Sequence, residues 1–219
     1  MKYRSTYIWL GLLLVLSGCV SQAKPDYQKF YEHHPRTILV LPPANKTTAV
    51  DAPPIFLTTV TRPFEERGYY VIPIYIAQDI LIDLGLTDEG LIAGIPPQQF
   101  KEFFGADAVL YTTLTEWSTT YIVLASMVTV EADYKLVDTV TGEIIWHGKQ
   151  RVSQDSGGGG GGTIIASLVV AAVKAAINTT TDYRPLASRA NQMVINGRGT
   201  GLPAGPHHGE FQKDQEEYN

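Results

Sequence analysis

The chain has 219 residues, a single cysteine and a formal net charge of −5, from 17 Lys+Arg against 22 Asp+Glu. That length suits one good-sized domain that folds without staples, and one cysteine closes no intrachain disulfide and builds no Cys-rich zinc site. With 44% apolar and 18% charged residues the composition is globular, and the acidic balance argues against nucleic-acid binding, which needs clustered positive charge.

Lys2 and Arg4 precede an apolar run from Tyr7 to Leu16. Ten helical residues extend about 15 Å, half of a bilayer core, so the run reads as a signal h-region and not a span. It ends in Leu16-Ser17-Gly18-Cys19. Small residues before a cut are what a signal peptidase needs, and a cysteine directly after them resembles the bacterial lipobox; the bland alternative is an ordinary signal peptide with an incidental cysteine. The resemblance implies that Cys19 becomes the mature N-terminus and carries acyl chains, two or more of which anchor stably where one is marginal. Val20 stands where a retention aspartate would be, which implies sorting to the outer membrane. Cleavage removes Lys2 and Arg4, so the mature chain is still more acidic and gains nothing from anionic headgroups; attachment falls to the acyl group.

Residues 19–35 read as lipid anchor and polar tether. Thr37-Ile38-Leu39-Val40-Leu41, stopped by Pro42-Pro43, predicts a buried strand. Phe56, Val60, Phe64 and Arg67 keep helical spacing over 55–67, with Gly68 as the stop and Pro63 predicting a kink or two short helices. Tyr69 to Ile72 predicts a second strand, ended by Pro73. Ile76, Ile80, Leu81 and Leu84 predict an amphipathic helix ending at Gly85. After Pro96-Pro97, residues 98–104 predict a short helix with Phe100 and Phe103 inward and Gly105 as its stop.

The period then changes from 3.6 to 2. Residues 108–117 predict a strand turning near 118–120. Along 121–137 one face carries Val128, Val130, Ala132, Tyr134 and Leu136, while the opposite face ends in Thr129, Glu131, Asp133 and Lys135. Residues 121–130 have the length of a transmembrane β-strand, but Val123, Ala125 and Met127 leave no polar lumen face, so a central strand covered on both faces is the expectation. Asp138-Thr139-Val140-Thr141-Gly142 predicts a turn, and 143–153 a returning strand. The fold class expected is α/β: a mixed sheet with an antiparallel meander, helices packed over one face, and C-terminal helices. A single domain over 36–197 follows, with a helix from Asp182 or Tyr183 to about Ile195 and a flexible tail over 198–219.

No residue pattern assigns catalysis: there is no nucleophile elbow, no zinc helix and no paired carboxylates. Gly157 to Gly162 lack the lysine of a phosphate loop and read as a linker. The following run, carrying Ile164, Ile165, Leu168, Val169 and Ala172, is apolar nearly all round and too short to span a bilayer. It is either a core helix or a contact for a partner or membrane surface. His33-His34 and His207-His208 could meet on a metal only if the chain ends met, and His147 reads as a surface strand residue. No metal and no cofactor is expected.

Several segments taken together carry a family resemblance: the lipobox, Ile38-Leu39-Val40-Leu41-Pro42-Pro43, Glu66-Arg67-Gly68-Tyr69-Tyr70-Val71, Asp138 to Glu143, and Leu202-Pro203-Ala204-Gly205-Pro206-His207-His208. In this order and spacing the chain resembles the bacterial lipoproteins catalogued as domain of unknown function 799. That family is similar in fold to the curli secretion lipoprotein CsgG, to the N-terminal domain of TolB and to lipoprotein activators of peptidoglycan synthases. The resemblance implies an envelope role and supplies no catalytic residue. The expected function is that of an outer-membrane-anchored periplasmic lipoprotein, not an enzyme. It would act by contact with envelope proteins, a second copy of itself among them, in a secretion, transport or assembly complex. The alternative is a regulator of peptidoglycan synthesis.

Overall fold

Alternate residues of a strand point to opposite faces, and in β1 (Thr37–Val40) both sets are apolar. Ile38 and Val40 enter one core, while Leu39 and Leu41, the latter just past the strand, enter another; all four are buried. Such a strand needs cover on both sides. The structure, a computed structural model, describes residues 27–122, 125–155 and 182–218.

The remaining strands are β2 (Ala44–Asn45), β3 (Tyr70–Val71), β4 (Ala108–Ile122), β5 (Ala125–Asp138) and β6 (Ile144–Asp155). They form one mixed sheet of order β3-β1-β4-β5-β6, with β2 beside β4. β1 runs parallel to β3 and β4, and β4, β5 and β6 form the antiparallel meander. The expected α/β class with a mixed sheet is what the structure has. The expected cover of one face is corrected: helices lie on both. Helices α1 (Gln28–His33), α2 (Ala52–Glu66) and α6 (Arg184–Ile195) close the larger core. Helices α3 (Ile74–Asp83), α4 (Glu89–Ala93) and α5 (Pro97–Phe104) close the smaller one, against Leu39, Leu41 and Val109.

Phe56, Val60 and Phe64 of α2 are fully buried, as their spacing predicts. Pro63 sits inside one continuous helix, not between two. It deletes a single backbone donor near the C-terminal end, and the buried aromatic stripe on either side outweighs that loss. Helices α2, α3 and α5 end at Gly68, Gly85 and Gly105, all in the left-handed region, as expected. Two side-chain expectations change. In α5 the ring paired with Phe100 is Phe104, 6.3 Å away, and Phe103 is exposed, because the partner lies one turn on at i+4. In α3 the core contacts are Ala77 and Leu81, which leaves Ile76 and Leu84 exposed.

The turn expected at 118–120 is absent. β4 continues through Ser118↔Thr129, Thr120↔Met127 and Ile122↔Ala125, so the chain reverses between Ile122 and Ala125. Residues 121–130 therefore belong to a hairpin and are not one central strand. A period of two persists on both sides of a reversal, so alternation alone cannot locate it.

Both chain ends are more ordered than expected. The stretch expected as tether contains α1, which buries Tyr27 and Phe30. The expected flexible tail packs against α1 and the end of α2, where α7 (Gln215–Tyr218) buries Tyr218. Tyr27 Oη donates to the Gly201 carbonyl at 2.7 Å and Tyr69 Oη to the Pro203 carbonyl at 2.7 Å. The Arg67 guanidinium donates to the Leu202 carbonyl and to Tyr218 Oη, and the Tyr27 and Tyr218 rings lie 4.7 Å apart. Burial pushes the Tyr218 hydroxyl up to about 12 and raises those of Tyr27 and Tyr69 well above the ordinary tyrosine range, so all three remain neutral donors. Gly68 is indispensable here: its φ is +84°, and a Cβ would stand 2.4 Å from the His208 nitrogen. These anchors are carbonyls and isolated rings, which leave no period in the sequence.

Two polar hubs tie the layers. Inside the larger core Tyr134 Oη donates to Asn191 Oδ1 at 2.7 Å, and Asn191 Nδ2 donates to Thr59 Oγ1 at 3.0 Å, joining β5, α6 and α2. At the start of β4, Asp107 accepts from Lys101 at 2.6 Å, from the Thr37 N–H at 3.0 Å and from the Arg36 N–H at 3.1 Å. Burial alone would raise the Asp107 carboxyl, but Lys101 and the two N–H groups outweigh it and hold it below the usual carboxylate range.

Tyr134→Phe strands the buried Asn191 oxygen and is expected to lower unfolding stability by about 1–3 kcal/mol in urea titrations. Asp107 has a folded pKa below its unfolded one, so its contribution is present above the ordinary carboxylate pKa and disappears as pH falls through the lowered value. Asp107→Asn should therefore be less stable than the parent at neutral pH, with the difference closing on acidification in urea midpoints measured across pH.

Candidate interaction surface

β5 and β6 extend beyond the helices that cover the smaller core. Residues of β5 alternate between the larger core (Val130, Ala132, Tyr134, Leu136) and the opposite face (Glu131, Asp133, Lys135). Register pairs Glu131 with Arg151, Asp133 with Lys149 and Lys135 with His147 across to β6. Thr115 is an extra residue in β4, so Glu116 falls opposite Glu131 and joins the same face. The result is a ladder in which Glu116, Glu131 and Asp133 of β4 and β5 face His147, Lys149 and Arg151 of β6, with Lys135 of β5 at its end.

The charges hold one another. Lys149 Nζ lies 2.8 Å from Glu131 Oε1, and His147 Nε2 lies 2.9 Å from Asp133 Oδ2. Arg151 Nη1 reaches Glu131 Oε2 at 2.9 Å and also contacts Glu116. Hydrogen bonds from Lys149 and then Arg151 hold the Glu131 carboxyl below its ordinary value. The face sits on a rigid floor: on the other side Gly148 lets α6 approach so closely that a Cβ would be 2.6 Å from Val194 Cγ2. Tyr111, raised by burial, marks the step between this ladder and the helix-covered half.

The sequence placed Glu131, Asp133 and Lys135 on one polar face correctly. It missed Glu116, which reaches that face only through the Thr115 bulge, and the cross-strand ion pairs, which depend on register. The histidines have other partners than a metal. His33 lies between Asp138 Oδ2 at 3.2 Å and Glu143 Oε2 at 3.6 Å, beside the Lys29–Glu143 pair at 2.8 Å. The His34 ring is 6.5 Å from that of Phe211, so the chain ends do meet. The His207 N–H donates to the Gly68 carbonyl at 3.0 Å, and His208 Nδ1 accepts from the Glu210 N–H at 3.2 Å. Among the described residues no group of His, Cys, Asp and Glu is placed to hold a metal ion, and no helix is long and apolar enough to cross a membrane. Cys19, the Gly157–Gly162 run and Ile164, Ile165, Leu168, Val169 and Ala172 lie outside the described residues.

The fold is an α/β domain, one mixed sheet with a helix-covered core on each side. The chain is a member of the family described as "Putative lipoprotein GNA1162-like", which matches residues 25–207. It is 38% identical over 149 residues to "Putative lipoprotein NMB1124/NMB1162" of Neisseria meningitidis serogroup B (strain ATCC BAA-335 / MC58), spanning 67% of this chain and 69% of that protein. The crystal structure of lipoprotein GNA1162 from Neisseria meningitidis is similar at a TM-score of 0.55 and 33% identity, covering 64% of this chain and 96% of that one. More distant are the PelC dodecamer from Paraburkholderia phytofirmans, with a TM-score of 0.40, 15% identity and coverage of 61% and 79%. The LpoB C-terminal domain from Escherichia coli has a TM-score of 0.39, 21% identity and coverage of 55% and 85%. The expectation of a lipoprotein family is borne out, and the family shown is the GNA1162-like one.

Glu131→Gln removes the acid shared by Lys149 and Arg151. Glu131 is largely covered but both of its basic partners reach solvent and Gln keeps an acceptor in place, so the unfolding free energy should fall by about 1 kcal/mol. The face meanwhile turns net basic, and its mobility on native gels should fall by one negative charge.

Proposed function

We propose that this protein is an outer-membrane lipoprotein, anchored through acylated Cys19, whose periplasmic domain works by protein–protein contact in an envelope secretion, transport or assembly complex and catalyses nothing itself. Membership of a lipoprotein family supports the anchor, and Leu16-Ser17-Gly18-Cys19 supplies the place for it. The observation that carries the contact reading is the charged β5–β6 face, where fixed register pairs acids with bases on a rigid sheet and the Lys149 and Arg151 heads reach solvent. Paired charge on a rigid surface gives a partner orientation and specificity more than raw affinity.

The anchor also orients the domain. Tyr27 lies eight residues beyond Cys19, a reach of at most about 28 Å. α1 packs beside the β5–β6 turn through Lys29 and Glu143, so that end of the sheet stays near the membrane. The β4–β5 hairpin closes at the other end of a 15-residue strand, about 50 Å away. The alternative, a regulator of peptidoglycan synthesis, calls for a long tether through the cell-wall mesh, and the eight residues from Cys19 to Tyr27 reach at most about 28 Å.

Cys19→Ala should move the protein from the membrane to the soluble fraction of the envelope and abolish labelling by a palmitate analogue. Photocrosslinkers placed at Lys149 and Arg151 in the anchored protein should give adducts with an envelope protein that are lost on Glu131→Lys. Retention of membrane binding by Cys19→Ala would overturn the anchor, and adducts to no protein from either position would remove the β5–β6 face as the contact.

A further inference from the structure

The helices over the smaller core carry more apolar surface than that core uses. In α3 only Ala77 and Leu81 are buried, while Tyr75 is 68% exposed and Ile82, two turns on, 59% exposed; Leu91 of α4 is 55% exposed. Residues seven apart on a helix share a face, so Tyr75 and Ile82 form one stripe pointing away from the core. Asp79 and Asp83, one turn apart, lie alongside that stripe, and Asp88 and Glu89 follow at the start of α4, all exposed. From Gly68 to Phe100 the sequence contains no Lys, Arg or His. This stretch of chain therefore builds an apolar stripe bordered by Asp79 and Asp83 and contributes no cation of its own, while Asp88 caps α4 by accepting from the Gly90 N–H and Glu89 accepts from the Asn45 N–H.

We infer that the outer face of α3 and α4 docks an amphipathic segment of a partner protein, whose apolar residues cover Tyr75, Ile82 and Leu91 and whose Lys or Arg residues meet Asp79 and Asp83. The inference rests on the contact reading above and names a surface and a partner chemistry for it. Charge decides the occupant. An anionic bilayer surface is repelled by the acidic border. A second copy meeting this face with its own brings carboxylates against carboxylates. The chain's basic column on β6 is taken up by Glu116, Glu131 and Asp133 of its own sheet. A cationic, apolar segment satisfies both halves of the surface at once, and helix-in-groove recognition commonly uses such anchors.

The test uses the full-length anchored protein in its native envelope, with photocrosslinkers at Tyr75 and Ile82 and, as controls, at Lys149 and Arg151. The expected result is an adduct from Tyr75 or Ile82 whose mapped partner peptide has Lys or Arg interleaved with apolar residues. Asp79→Lys with Asp83→Lys should cut its yield about tenfold, and reversing the partner's own basic residues should restore it. In parallel, the purified protein in detergent should bind a helical leucine–lysine peptide at least about tenfold more tightly than its leucine–glutamate counterpart, with the preference lost in the same double variant and in Ile82→Ser. All these positions are exposed, and unchanged unfolding midpoints confirm that the variants are folded. Adducts only to lipid, only to a second copy, or to a neutral or acidic peptide would overturn the inference, as would equal binding of the two peptides. If the α3 positions give no adduct while Lys149 or Arg151 do, this surface is wrong and the contact reading stands; if none of the four gives a protein adduct, both fall.

Discussion

The apolar double face of β1 is the constraint from which the rest of the architecture follows. Ile38 and Val40 on one side and Leu39 and Leu41 on the other can be buried together only between two layers. α2 and α6 supply the first layer and α3 to α5 the second. The pairing of β1 with β4 extends the demand to Val109 and Leu110, which sit in opposite cores. Asp107 secures this junction by holding the Arg36 and Thr37 N–H groups and the Lys101 ammonium together where β1 and β4 begin. It does so as an anion held below its ordinary pKa, so the junction is also the place where acid reaches the fold.

Only half of the sheet is under that double demand. From β5 outward one side still carries Ala132, Tyr134 and Leu136 into the larger core, while the other changes to Glu131, Asp133 and Lys135. A strand with one polar face needs one layer of helices; among the described residues the second layer stops there, and the Lys149 and Arg151 ends of the ladder reach solvent. The same economy explains α3: a small second core needs only Ala77 and Leu81 from it, and the remaining apolar residues face outward beside Asp79 and Asp83. The charged ladder and the exposed apolar stripe of α3 are consequences of an uneven division of core between the two sides of one sheet.

The ends of the chain are joined by a different kind of interaction. Tyr27, Tyr69, Arg67 and Tyr218 converge on the carbonyls of Gly201, Leu202 and Pro203. Buried carbonyls without partners are costly, and a guanidinium with three neutral hydroxyls satisfies them where no strand or helix does. The C-terminal segment is thereby fastened beside α1, the element closest in sequence to Cys19. This end of the domain is densely cross-tied, and the β4–β5 hairpin closes at the far end of the sheet.

Local pattern was enough for much of this. The strand at β1, the helices over α2, α5 and α6, the turn at Asp138 to Gly142 and the glycine stops at Gly68, Gly85 and Gly105 are set by short-range rules of period, proline and left-handed glycine, so they are legible in residues a few positions apart. So are the polar row Glu131, Asp133 and Lys135 and the basic, apolar and cysteine-bearing start of the chain. What the tertiary structure alone decided needs partners far apart in sequence. Register and the Thr115 bulge bring Glu116 and Arg151 together; strand pairing moves the reversal to between Ile122 and Ala125; the size of the second core leaves Tyr75 and Ile82 outside; and a tail with no period is held by tyrosines from the other end of the chain. Hydrophobic period reports which side of an element is greasy, whereas which greasy side is covered, and by what, depends on how much core the opposing elements provide.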